Sequence, residues 1–205
     1  MAAAMTTSNT LLETFQPRSQ AARLASNVVL VVLGTALLTL SAKINVPVWP
    51  VPVTLQTAAV AVLAAAFGWR IGVATVAAYI LEGLAGLPVF AGAVAGPAYL
   101  LGPTAGFIVS WLAMAAIIGV AADRGLSRRM LPLFAAMLLG DAVSFAVGYG
   151  WLVTVLANLK GVGIGDVLGG AFDGAIKPFV VWDILKMGLA AVTISAAWAA
   201  FRKRP

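Results

Sequence analysis

Long apolar runs alternate with short polar breaks along the chain. The runs are Leu24 to Leu40, Val53 to Phe67, Ile71 to Leu87, Leu101 to Ala122, Met130 to Leu156 and Pro178 to Phe201. A bilayer-spanning helix needs roughly 20 apolar residues, so each run predicts one transmembrane helix. The breaks carry the expected punctuation. Pro47-Val48-Trp49-Pro50-Val51-Pro52 precedes the second run, and Trp69-Arg70 ends it in the manner of an interfacial anchor. Asp123 to Arg129 closes the fourth. Asn158 to Lys177 reads as a polar loop, and Pro178 suits a first helical position. Residues 1–20 show no periodicity and read as a disordered or surface-lying tail. Residues 21–205 then form one six-helix transmembrane domain. Arg18 and Arg23 before the first run, with Leu40-Ser41-Ala42 behind it, imitate a signal peptide. Val46 to Leu55, however, leads straight into the second run, with no polar domain to export.

Composition agrees with that pattern. Hydrophobic residues make up 62% of the chain and charged residues 10%, against about 25% charged in soluble domains. In a soluble protein the net charge of +6 suggests nucleic acid. Here the positive residues sit between apolar runs and report orientation instead. With the N-terminus in the cytoplasm, Arg18, Arg23, Arg70, Arg124, Arg128, Arg129, Arg202, Lys203 and Arg204 lie inside. Only Lys43, Lys160 and Lys177 lie outside. The expectation is an all-α, multi-pass protein of the cell inner (plasma) membrane with both termini cytoplasmic. No internal repeat divides it into halves.

The chain has no cysteine and no histidine, which removes disulfides and His- or Cys-dependent catalysis. No paired-acid metal motif is present. An enzyme is not expected, nor a metal or a cofactor.

Ionisable residues at membrane depth are costly and usually functional. Four qualify: Glu82, Asp141, Asp183 and Lys186. Asp183 and Lys186 are three apart on the sixth helix and share a face, about one and a half turns below its outer end. They form either a mutual ion pair or two walls of a ligand cavity. Glu82 lines the same pocket or pairs with Lys186 or Lys43. Asp141, near mid-membrane, reads most simply as an interhelical hydrogen bond or a protonated acid. The uncharged connection from Gly86 to Gly106 is long for neighbouring helices. It is either a re-entrant plug or a lid over an outward-facing pocket.

Five runs, in order, carry a resemblance. They are Ser41-Ala42-Lys43-Ile44, Pro50-Val51-Pro52-Val53-Thr54-Leu55-Gln56-Thr57, Gly86-Leu87-Pro88-Val89-Phe90-Ala91-Gly92, Gly102-Pro103-Thr104-Ala105-Gly106-Phe107 and Asp183-Ile184-Leu185-Lys186. Over roughly residues 20 to 203 the chain resembles the BioY family, the biotin-binding S component of energy-coupling-factor (ECF) transporters. The resemblance implies a compact six-helix S-component bundle that captures biotin near the outer face. It implies as partners a transmembrane coupling protein and two ABC ATPases, since the chain has no Walker A run. Ala21, Ala22 and Ala25 resemble the small-residue face that meets the coupling protein. The acid–lysine pair of the last helix falls on Asp183 and Lys186. Two departures stand out. Ala91-Gly92-Ala93-Val94-Ala95-Gly96 lacks the basic residue some members carry there, so the biotin carboxylate is left to Lys186 or Lys43. Ala105-Gly106 replaces a double glycine.

Biotin's chemistry suits these residues. Asp183 or Glu82 accepts from the ureido N–H groups, Gln56 and Thr54 meet the ureido carbonyl, and Phe90, Tyr99 and Trp182 cover the apolar body. The alternative is a self-sufficient biotin or small-solute carrier, with Glu82 and Asp141 in a proton relay. A homo-oligomer is left open.

Overall fold

The computed structural model describes residues 10–17, 19–92 and 94–202. Residues 1–9 of the expected tail lie outside them, as do Arg18, Ala93, Lys203 and Arg204. Among the described residues, seven α-helices carry the fold: α1 (Leu11–Phe15), α2 (Gln20–Lys43), α3 (Gln56–Leu84), α4 (Ala105–Asp123), α5 (Met130–Lys160), α6 (Ile164–Ala175) and α7 (Lys177–Arg202). A short ribbon pairs β1 (Asn45–Val46) antiparallel with β2 (Val53–Thr54), Asn45 opposite Thr54. Five helices, α2, α3, α4, α5 and α7, are long and apolar enough to cross a membrane.

Most of the second and third apolar runs falls within α3, which folds back on itself. Gly68 has φ of 81°, a region open to glycine and rarely to residues with a Cβ. The reversal brings Gln56 Nε2 to 2.8 Å from Tyr79 Oη, to which it donates. In a straight helix these residues would stand about 35 Å apart. The turn is held from α4. The Asp123 carboxylate accepts from the Trp69 N–H at 3.4 Å, and Gly119 has no side chain to obstruct the Trp69 backbone.

Three local expectations change. Asn158 to Lys177 is not a polar loop throughout, because α6 occupies most of it. Val167, Ala171 and Ala175 recur every four residues and pack with Leu152 and Leu156 of α5. Small residues among glycines and aspartates hide that stripe in a hydropathy reading. The second run does not begin as helix at Val53, because Val53–Thr54 belongs to β2. Pro47, Pro50 and Pro52 lack N–H donors and disfavour helix in the residues before them. The fourth helix begins at Ala105 rather than Leu101, after a 3₁₀ turn over Pro97–Leu101. In addition, Thr10 caps the short helix α1, its hydroxyl accepting from the Glu13 N–H at 3.4 Å, and Leu11 packs on the main core.

That core fills the space between the two arms of α3, α4, Leu38 of α2 and the Met187–Trp198 face of α7. A second cluster joins Phe107, α5, α6 and Phe179. Helices α4 and α5 interlock through glycines, with Gly106 against the Trp151 side chain and Gly148 against the Phe107 ring. Such approaches suit membrane bundles, where packing rather than solvent exclusion holds helices together.

Candidate functional site: a buried ion pair on the wall of a narrow cavity

The buried face of α7 runs through Phe179, Asp183, Met187, Ala190 and Ile194, a helical stripe in which only Asp183 is charged. Its 2% exposure demands partners, and two are present on one oxygen. Thr57 Oγ1 donates to Asp183 Oδ1 at 2.6 Å. Lys186 Nζ donates to the same oxygen at 2.9 Å, one turn along the helix. The ion pair and the cavity, alternatives in sequence, therefore coexist.

The cavity lies between the β2–α3 entry, α4, α5 and α7. Its polar wall is Thr54, Thr57, Asp141, Ser144, Asp183 and Lys186, and its aromatic wall is Phe107, Trp111, Phe145 and Phe179. The free volume is about 50 Å³, whereas small-molecule sites usually run about 300–1,000 Å³. A bicyclic ligand therefore enters only when a wall moves. Thr54 and Lys186 also line an adjoining, mostly apolar groove of about 470 Å³, with Val46, Val53, Pro178 and Trp182. These two side chains are thus the partition between cavity and groove. Thr54 sits on a ribbon of two-residue strands, whereas Lys186 is carried by α7.

The other residues singled out in the sequence fall elsewhere. Gln56 is buried but bonds Tyr79, whose hydroxyl donates to the Val89 carbonyl at 2.9 Å. Phe90 is fully buried, edge-on to Tyr79 and stacked on Tyr99 at 4.5 Å between ring centres. The connection thus plugs the bundle with Phe90, over Gly83, which leaves room for the ring. Gln56, Phe90, Tyr99 and Glu82 do not line the cavity of Asp183. Trp182, 60% exposed, faces the groove. Lys43 Nζ donates to the carbonyls of Phe90 at 2.8 Å and Gly92 at 3.0 Å, so it serves the plug.

Sequence reasoning gave no ligand role to Thr57, Ser144 or the four aromatic residues of the wall. It read Asp141 as an interhelical hydrogen bond or a protonated acid; among the described residues no hydrogen bond to its carboxyl group is made. The signal available was the stripe Met137, Asp141, Ser144, Gly148 and Leu152, spaced by three and four along α5 and buried throughout.

Known proteins share this fold and much of this sequence. A solved S component for biotin from an ECF-type ABC transporter superposes with a TM-score of 0.73 at 22% identity, over 92% of this chain and 96% of that one. The probable biotin transporter BioY of Pyrococcus horikoshii is 34% identical, across 82% of this chain and 93% of its own length. The biotin transporter BioY of Thermotoga maritima is 33% identical, across 77% and 87%. The family model described as the BioY family matches residues 8–203, and the chain belongs to that family.

Proposed function

We propose that the chain is the biotin-capturing subunit of a vitamin uptake transporter in the plasma membrane, a binding protein rather than a catalyst. The observation that carries this reading is the buried Asp183–Lys186 pair, braced by Thr57, on the wall of a cavity inside an apolar bundle. A desolvated ion pair contributes little to stability against an apolar replacement, so a pair retained at this depth suits a ligand role. Asp183 Oδ1 is occupied twice, and its second oxygen is available to a ureido N–H. Lys186 stands at the partition, where the valeryl carboxylate would arrive if the rings occupy the cavity and the chain extends into the groove past Thr54 and Trp182. The cavity opens as the partition shifts.

The topology follows from the same reading. The turn at Gly68 makes α3 two crossings, and with α2, α4, α5 and α7 the bundle has six, with both termini cytoplasmic and residues 21–205 one domain. The described basic residues support that orientation. Arg23 and Arg70 share a cleft with Asp123, and Arg128 lies 5.0 Å from the Trp198 ring centre. Lys43 is bound to the plug at the other end. Reporter fusions after Arg70 and Arg129 should report cytoplasm and a fusion near Gly165 the outside. A cytoplasmic signal at Gly165 removes a crossing.

Uptake is coupled, on this reading, to a transmembrane coupling protein and ABC ATPases. The direct test is retention of labelled biotin by the purified chain alone. Uptake in cells lacking every coupling ATPase would instead mark a self-sufficient carrier. Failure to retain biotin ends the binding-subunit reading.

A further inference from the structure

The polar wall of the cavity contains one group with no hydrogen-bonding partner. Thr54 Oγ1 accepts from the Gln56 N–H at 3.3 Å. Thr57 and Lys186 both donate to Asp183. Ser144 Oγ pairs with Ser110 Oγ at 2.8 Å. Asp141 is 5% exposed and lines the cavity, yet no N–H or O–H among the described residues reaches its carboxylate. Its oxygens face the cavity rather than sealed protein, so they are open to a donor supplied by a ligand.

The position of Asp141 follows from helix register. Helices α5 and α7 run antiparallel, and Phe145 meets Phe179 with ring centres 6.5 Å apart. Four residues back along α5 and four forward along α7 is about one turn in the same direction. Asp141 therefore stands across the cavity from Asp183. Lys186, the cation on this wall, makes its hydrogen bond to Asp183 and none to Asp141.

Two facing acceptors match a ligand with two diverging donors. A cyclic urea has that shape, with one N–H on each side of its carbonyl. We propose that Asp141 is a specificity-determining residue that accepts the second ureido N–H of the ligand, opposite the free oxygen of Asp183. This inference rests on the biotin reading above and deepens it. The two carboxyl groups read the ring from both sides, and the ligand's own carboxylate is kept at Lys186. A ligand lacking either N–H leaves one buried carboxylate without a donor, the condition under which polar sites discriminate strongly.

The test is a competition series on the purified full chain. The ligands are biotin, its two ureido N-methyl isomers, and biotin amide. The proteins are wild type, Asp141→Leu and Asp141→Asn, each checked for monodispersity. Wild type should bind biotin, and both methyl isomers should bind about tenfold to a hundredfold more weakly. Asp141→Leu should lose a similar factor for biotin and should no longer discriminate against one of the isomers. Discrimination against the other isomer stays, and so does the preference for biotin over its amide. Asp141→Asn, which keeps a neutral acceptor, should fall between, and it decides the matter if the leucine variant does not fold. Wild type failing to bind biotin sinks the parent reading. Wild type binding while the variants retain biotin within about twofold, or lose it with discrimination against both isomers intact, overturns the role of Asp141 alone.

Discussion

Two polar clusters sit in this apolar bundle, and they are built to opposite rules. In the plug, every chain of donors ends on a backbone carbonyl. Gln56 donates to Tyr79, Tyr79 to the Val89 carbonyl, and Lys43 to those of Phe90 and Gly92. In the cavity, four donor–acceptor pairs are made and one carboxyl group is left open. A saturated cluster has nothing left to offer a ligand, and its energy goes into holding a loop. An unsaturated one costs stability and is worth keeping where something else supplies the missing donors. The two lysines show the contrast within one residue type. Lys43 restrains backbone, whereas Lys186 neutralises an acid that could exchange it for a ligand.

The largest effect tests the cavity. Asp183→Ala or Lys186→Met alone leaves a buried charge unpaired, which costs roughly 3–5 kcal/mol. Both variants should melt far below wild type in detergent and retain no labelled biotin. The double variant Asp183→Asn/Lys186→Met should recover stability and still not bind. If it binds, the pair is only structural and the contrast between the clusters collapses.

The plug is tested next. A Cβ at Gly83 collides with the Phe90 ring, and overpacking typically costs about 1–3 kcal/mol. Gly83→Ala should therefore lower the melting temperature, while the folded fraction binds biotin normally. Loss of binding at unchanged stability would mean that plug and cavity act as one unit.

The lysines separate by ligand. Lys43→Met removes hydrogen bonds to two loop carbonyls, a charged bond being worth about 1.5–3 kcal/mol. Residues 86–96 should then be cut faster by protease, with the preference for biotin over its amide unchanged. Lys186→Met should lose most of that preference, about tenfold or more. A reversal of these two results moves the carboxylate reader to Lys43. The smallest effect belongs to Trp182, which borders the groove and is largely exposed. Trp182→Ala should weaken biotin by about fivefold, the equivalent of about 1 kcal/mol of apolar contact. An effect as large as that of Lys186→Met would put the ligand mainly in the groove.

The apolar runs, their polar ends and the family motifs are local features, so one pass along the chain finds them. Hydropathy is a property of neighbours in sequence, and a bilayer selects on it directly. This made the membrane class, the helical runs and the pair at Asp183 and Lys186 legible. Helix α6 escaped because its buried stripe is made of small residues, and β2 because prolines end helical geometry without lowering hydropathy. The contacts of the polar side chains were settled only by packing. Gln56 and Thr57 are adjacent, yet one turns toward Tyr79 and the other toward Asp183, 126 residues away. Phe90 looks like a ligand cover in sequence and is a core residue in space. Asp141 becomes an open acceptor because the α5–α7 register brings it opposite Asp183 without supplying a donor. Such pairings depend on helix rotation and register, which many sequences with the same hydropathy could satisfy differently. Local hydropathy fixes where the chain crosses apolar surroundings and which charges it carries there, whereas helix rotation and register fix which of those charges meet.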